Sequence, residues 1–241
     1  MRFFSKDLNL SNDDFTLIKS QFEQLFPTKV IELAYHNFHW GNVKSTEDAV
    51  NARNLVAGKF YQWVDDGCNY ETAPQAIDLV HKWGFGGQGL NKRQVILYEA
   101  QHLTNFVKMA KEWHKAEQPA EMLKCLEICL QTPYVKTARF SKWICFIDPT
   151  KYAIYDSRVS LALRKIKLNN KRVFPTLGAK SKDRPNADYV GSNPSAAAVR
   201  MSETYMIYLD LLNSILPKTK LSEVAEIEMA LFMLGVEKKY W

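Results

Sequence analysis

Phe140-Ser-Lys-Trp-Ile-Cys-Phe-Ile-Asp-Pro-Thr-Lys-Tyr-Ala-Ile-Tyr-Asp-Ser-Arg-Val-Ser-Leu-Ala-Leu163 is the stretch around which the chain is organised. Phe140, Trp143, Ile144 and Ile147 recur at helical spacing and make one apolar face. Asp148-Pro149 ends that helix, because the residue before a proline avoids the α region. Tyr152-Ala-Ile-Tyr155 is a brief apolar run, predicted to be extended. Asp156 then stands just before Val159, Leu161, Ala162 and Leu163, where an N-cap belongs. A tight reversal between two helices would thus bring Lys142 of the first toward the aspartate that opens the second.

The run Ala153-Ile-Tyr-Asp-Ser-Arg-Val159 followed by an apolar helix resembles the segment of helix-hairpin-helix DNA glycosylases that carries their catalytic aspartate. Phe140-Ser-Lys-Trp143 is similar to the helix that bears the nucleophilic lysine in the 8-oxoguanine-glycosylase branch. The likeness covers roughly residues 134 to 166, and the rest of the chain is compatible in size and helical content. It implies a mainly α, helix-hairpin-helix glycosylase-like fold of two packed helical subdomains in one unit, 1–241. Residues 1–89 would contribute one subdomain and 90–241 the one with the catalytic helices. It also implies that Asp156 and Lys142 excise a flipped-out modified base and leave an abasic site, with no cofactor and with lyase chemistry if the lysine attacks. The branch points to 8-oxoguanine and repair; related bacterial proteins point to antiviral defence and a hypermodified base such as glucosylated hydroxymethylcytosine. A non-catalytic module that reads modified or distorted DNA is the alternative.

The chain departs from the family in two places. Thr132-Pro-Tyr-Val-Lys-Thr-Ala138, where the family has a Gly-x-Gly turn against a DNA phosphate, contains no glycine. The family's lysine spacing falls near Ala138, and Lys142 lies four residues later. Four residues return to the same helix face about 6 Å further along the axis. Lys136 is the rival nucleophile.

Each candidate has a plain structural reading beside the chemical one. Asp156 as a helix cap alone contributes about 1 kcal/mol; as a carboxylate fixed at the lip of a cleft it stabilises an oxocarbenium-like sugar. Lys142 is an ordinary helix lysine, or an amine made nucleophilic by burial beside Phe140 and Trp143. An aspartate activating water would also release the base. Arg164, Lys165, Lys167, Lys171, Arg172, Lys180, Lys182 and Arg184 face only Asp183. Asn169-Asn170, Pro175, Gly178 and Pro185 mark that run as loop. Following the suspected catalytic helix, it reads as a surface that tracks phosphates. The candidate DNA contacts are Lys136, Arg139, Arg158, Lys165, Lys171 and Arg172.

Composition agrees with this reading. A chain of 241 residues, 46% hydrophobic and 12% aromatic, can bury a core and is no disordered tail. A net charge of +6 suits a polyanionic partner such as double-stranded DNA. Cysteines 68, 125, 129 and 145 form no disulfide framework, and the chain has neither a signal-peptide start nor a membrane-length apolar run. A cytoplasmic monomer away from membranes is expected. No metal is expected either. His36 and His39 lack completing ligands, Cys125 and Cys129 read as helix core, and the four-cysteine loop of iron–sulfur glycosylases is absent.

Elsewhere the pattern predicts helices over Ser11–Leu25, Thr46–Val64, Pro74–Trp83, Asn91–Lys115, Pro119–Leu130, Ser195–Leu216 and Leu221–Leu234. Val30–Trp40 is ambiguous between helix and strand. Gly84-Phe-Gly-Gly-Gln-Gly89 follows a helix instead of a strand, so it is a linker and no dinucleotide fingerprint. Tryptophans 40, 83, 143 and 241 and tyrosines 155 and 240 read as core or helix-face residues, one or two of them available to stack on an extruded base.

Overall fold

A computed structural model describes residues 2–41, 43, 45–84, 103–131, 137–177 and 194–237, without the side chains of 128, 129, 131, 194 and 195. Among them the chain is mainly α: α1 Asn12–Leu25, α2 Thr28–His36, α3 Thr46–Asp65, α4 Ala73–Gly84 and α5 Leu103–Lys115. There follow α6 Pro119–Gln131, α7 Thr137–Ile147, α8 Ser157–Leu163, α9 Pro194–Ile215 and α10 Val224–Leu234. A hairpin of β1 Lys167–Leu168 and β2 Lys171–Arg172 separates α8 from α9.

Helix starts follow local chemistry. The Ser11 hydroxyl accepts from Asp14 N–H at 3.0 Å while the Asp14 carboxylate accepts from Ser11 N–H, a reciprocal capping box. Ser45 caps α3 in the same way by accepting from Asp48 N–H at 3.1 Å. Gly67, at φ 88°, turns the chain after α3 in a conformation that costs a residue with a Cβ far more. The ambiguous Val30–Trp40 stretch is helical up to His36, within α2, which buries Ile31 and Ala34, and non-helical beyond it. Of the long helix expected over Asn91–Lys115, the part from Leu103 is helical, and 91–102 lie outside the described residues, as do 85–89 of the glycine-rich linker.

The expectation of loop across Arg164–Arg184 needs correction at its start. Asn169 and Asn170 have φ of 50° and 62°, both left-handed, and close a two-residue turn that pairs Lys167 with Arg172 and Leu168 with Lys171. Such a turn matches the twist of the flanking strands, and asparagine tolerates it. The side-chain amide of Gln21 fixes the hairpin to α1, donating to Lys167 C=O at 2.7 Å and accepting from Lys167 N–H at 3.0 Å.

One contiguous apolar core draws on all ten helices of the described residues. Its middle is α10, which packs against α2, α8 and α9 and is buried on nearly every face. Two long-range ties close the N-terminal part onto it. Tyr35 OH donates to Glu226 at 2.7 Å. The buried Asp210 carboxylate in α9 accepts from the backbone N–H groups of Phe3, Phe4 and Ser5 at 2.7–2.9 Å, and from the Ser5 hydroxyl at 2.6 Å. No helix among the described residues is long and apolar enough to cross a membrane.

Candidate active site

The link between α7 and α8 has no strand partner among the described residues, so its backbone groups find side chains instead. Tyr205 OH donates to Ala153 C=O at 2.8 Å and Tyr208 OH to Ile154 C=O at 2.9 Å, both from α9. Ser141 Oγ of α7 accepts from Tyr155 N–H at 2.9 Å. Tyr155 OH in turn donates to Pro175 C=O at 2.7 Å. A link pinned on both sides delivers Asp156 to a fixed place. There Oδ1 accepts from Arg158 N–H at 2.9 Å and Val159 N–H at 3.0 Å, the N-cap geometry the sequence predicts.

Lys142 lines the same pocket as Asp156. The side chain is buried, and its Nζ donates to Ala138 C=O at 2.9 Å, one turn back along α7. Side chains on a helix lean toward its N-terminus, which makes this reach natural. Burial lowers the lysine's pKa; the carboxylates of Asp156 and Glu228 oppose that without cancelling it. Gly84, the last residue of α4, makes the room: a Cβ there would stand 2.7 Å from Lys142 Cε.

Two further charged groups complete the pocket, and sequence reasoning missed both. Arg53 of α3 and Glu228 of α10 form an ion pair at 2.6 Å with side chains 2% and 3% exposed. Arg53 Nη2 also reaches Cys145 Sγ at 3.1 Å, and its guanidinium lies 5.6 Å from the Trp83 ring. Burial would discharge the guanidinium, but Glu228 and Cys145 hold it firmly charged. Burial pushes the Cys145 thiol up to about 11, so it stays protonated. The signal available for Glu228 was a carboxylate flanked by Ile227, Met229, Ala230 and Leu231, two residues after Glu226 in a largely apolar helix. For Arg53, inside a polar helix, there was none.

The apolar walls are Phe38, Trp40, Trp83 and Phe232. Trp40 Nε1 donates to Trp83 C=O at 2.6 Å, and its ring meets Phe232 edge-on at 5.2 Å. The enclosed space is about 20 Å³, enough for one water molecule.

Arg158, expected as a phosphate contact, turns its guanidinium onto this wall, 4.5 Å from the Phe232 ring and 5.3 Å from that of Trp40. Arg139 is half-buried in α7 and acts on His81 of α4, whose pKa falls to about 4 through burial first and that charge second. Lys165 and Lys171 are exposed and Arg172 half-buried, on and beside the hairpin. Lys136, together with the glycine-free segment 132–136, lies outside the described residues. Among the described residues no three His, Cys, Asp or Glu side chains cluster as metal ligands. Comparison of the chain with protein-family models, curated proteins and solved structures finds no match.

Proposed function

We propose that the chain is a DNA glycosylase in which Asp156 stabilises the sugar cation and Lys142 attacks it. The observation that carries the reading is a rigidly capped carboxylate sharing one pocket with a buried lysine whose charge is disfavoured. A neutral amine is a competent nucleophile, and a fixed carboxylate offsets positive charge where it develops on the sugar. The reach of Lys142 back to Ala138 bears on the four-residue offset from the resembled family, since the amine lies a turn nearer the family position than its Cα does. The exposed lysines of the hairpin supply phosphate contacts that carry no sequence information.

A cavity that holds one water does not hold a base. Base entry therefore requires Trp40 and Trp83 to part, and their faces then offer stacking surfaces. The same closure favours the second reading, a module that binds modified or distorted DNA without cutting it.

The test offers purified protein oligonucleotides containing 8-oxoguanine and, separately, phage DNA with and without glucosylated hydroxymethylcytosine. The expected result is abasic sites in one substrate class, lost in Asp156→Asn with DNA binding retained, since asparagine caps a helix as well as aspartate does. Tight binding of a modified duplex without an abasic site, unchanged in Asp156→Asn, would establish the non-catalytic reading instead.

A further inference from the structure

We propose that Glu228 is the proton acceptor for the attacking nucleophile, an assignment that rests on the glycosylase reading above. Four charged side chains line the pocket, and the two carboxylates among them are bound differently. Asp156 Oδ1 is committed to two backbone N–H groups. Glu228 Oε2 lies 2.6 Å from Arg53 Nη2 in an ion pair, and no backbone N–H among the described residues donates to it. A buried carboxylate held by one guanidinium and by no backbone amide, lining a cavity the size of one water, is placed to take a proton.

The surroundings divide the roles further. Arg53 faces Glu228 from α3, Lys142 and Cys145 from α7, Asp156 from the link, and Tyr205 and Tyr208 from α9. Burial raises the Glu228 pKa most and the Asp156 carboxylate adds to it, while Arg53 and Lys142 pull the other way and the net direction is up. A carboxyl tuned upward by its site works as a base nearer neutral pH than an ordinary one.

The Lys142 amine forms its bond to C1′ as the C1′–N bond breaks, and that electron pair leaves on the base, which solvent protonates. The new secondary ammonium gives a proton to Glu228. The freed nitrogen lone pair then expels O4′ as the Schiff base forms, and O4′ takes the proton back.

The experiment has one arm independent of DNA. In the free protein, ¹³C-carboxyl NMR should show Glu228 titrating above the ordinary carboxylate range; titration within or below that range overturns the assignment whatever the protein does to DNA. In single-turnover excision, Glu228→Gln should be slower by about 100-fold or more and lose the acid limb of the wild-type pH profile. Because Gln leaves Arg53 buried without its counter-charge, the Arg53→Met/Glu228→Gln double variant keeps the test alive if the single one misfolds. Formate should restore part of the excision in Glu228→Ala, which a merely structural role would not allow. A folded double variant at the wild-type rate, beside an inactive Asp156→Asn, overturns Glu228 and leaves the glycosylase reading standing. A wild-type protein that excises nothing overturns both.

Discussion

Replacing Tyr208 by Phe removes one oxygen and leaves the Ile154 carbonyl without the hydroxyl that donates to it at 2.9 Å. Tyr208 is fully buried and Ile154 nearly so, so water does not readily replace the lost donor. An unpaired buried carbonyl costs about 1–3 kcal/mol. Tyr205→Phe exposes the Ala153 carbonyl to the same penalty. The two rings lie 6.2 Å apart and grip consecutive residues, so the double variant should depart from additivity. A loss of about 2 kcal/mol per substitution lowers the melting temperature of a chain this long by roughly 4–8 °C. Urea unfolding checks the magnitude, with the slope unchanged if only stability has moved. The substitutions should also slow base release more than they weaken DNA binding, because the link they loosen aims Asp156. Two folded variants within about 0.5 kcal/mol of wild type would refute the claim that these hydroxyls hold the link.

Borohydride should trap a covalent adduct between the wild-type protein and DNA, and Lys142→Gln should lose it. Trapping that persists there but vanishes in Lys136→Gln would move the nucleophile, and no trapping in any form would favour attack by water. Charge reversal at Lys171 and Arg172 should weaken binding to all sequences alike and flatten its salt dependence, measured by titration at several ionic strengths. Gly235→Ala drives a methyl into the Arg158 backbone carbonyl, so it should destabilise by about 3 kcal/mol or more, read from thermal melts. His81 binds its proton less readily in the native state, at about 4 against an ordinary 6.5, so the unfolded chain holds the extra proton between those values. Stability should therefore fall as pH drops through that window. Discounted for its half-exposed position the loss is about 1 kcal/mol between pH 7 and 5, and His81→Gln should remove it.

What was legible in the sequence was local. The helix start at Ser11 and Asp156 before an apolar run each place a cap within a turn of the helix it starts, whereas the Ser45 cap emerged only from the structure. The α7–α8 reversal followed from Pro149 and from helical spacing for the same reason. Asn169-Asn170 was read only as a breaker, although paired asparagines also suit a two-residue hairpin turn; strands of two residues each are too short to alternate visibly. The rest of the pocket depends on pairs far apart in the chain. Nothing near Arg53 announces Glu228, and nothing near Ala153 or Ile154 announces the hydroxyls of Tyr205 and Tyr208. The fold of Lys142 onto Ala138 was within reach of helix geometry, but whether its stem had space depended on Gly84, from another helix.

The grip of Asp210 on Phe3, Phe4 and Ser5 sets an order of events during synthesis. These partners are 205–207 residues apart, so the beginning of the chain leaves the ribosome long before its anchor exists. At about 5–20 residues per second the wait is roughly 10–40 s. Tyr35 waits for Glu226 across 191 residues, and Gln21 for the Lys167 backbone across 146. The first two helices are thus made early and seated late, with the apolar faces of Phe15, Ile18, Phe22 and Ile31 uncovered in between. A ribosome stall before residue 210 would leave these helices without that anchor.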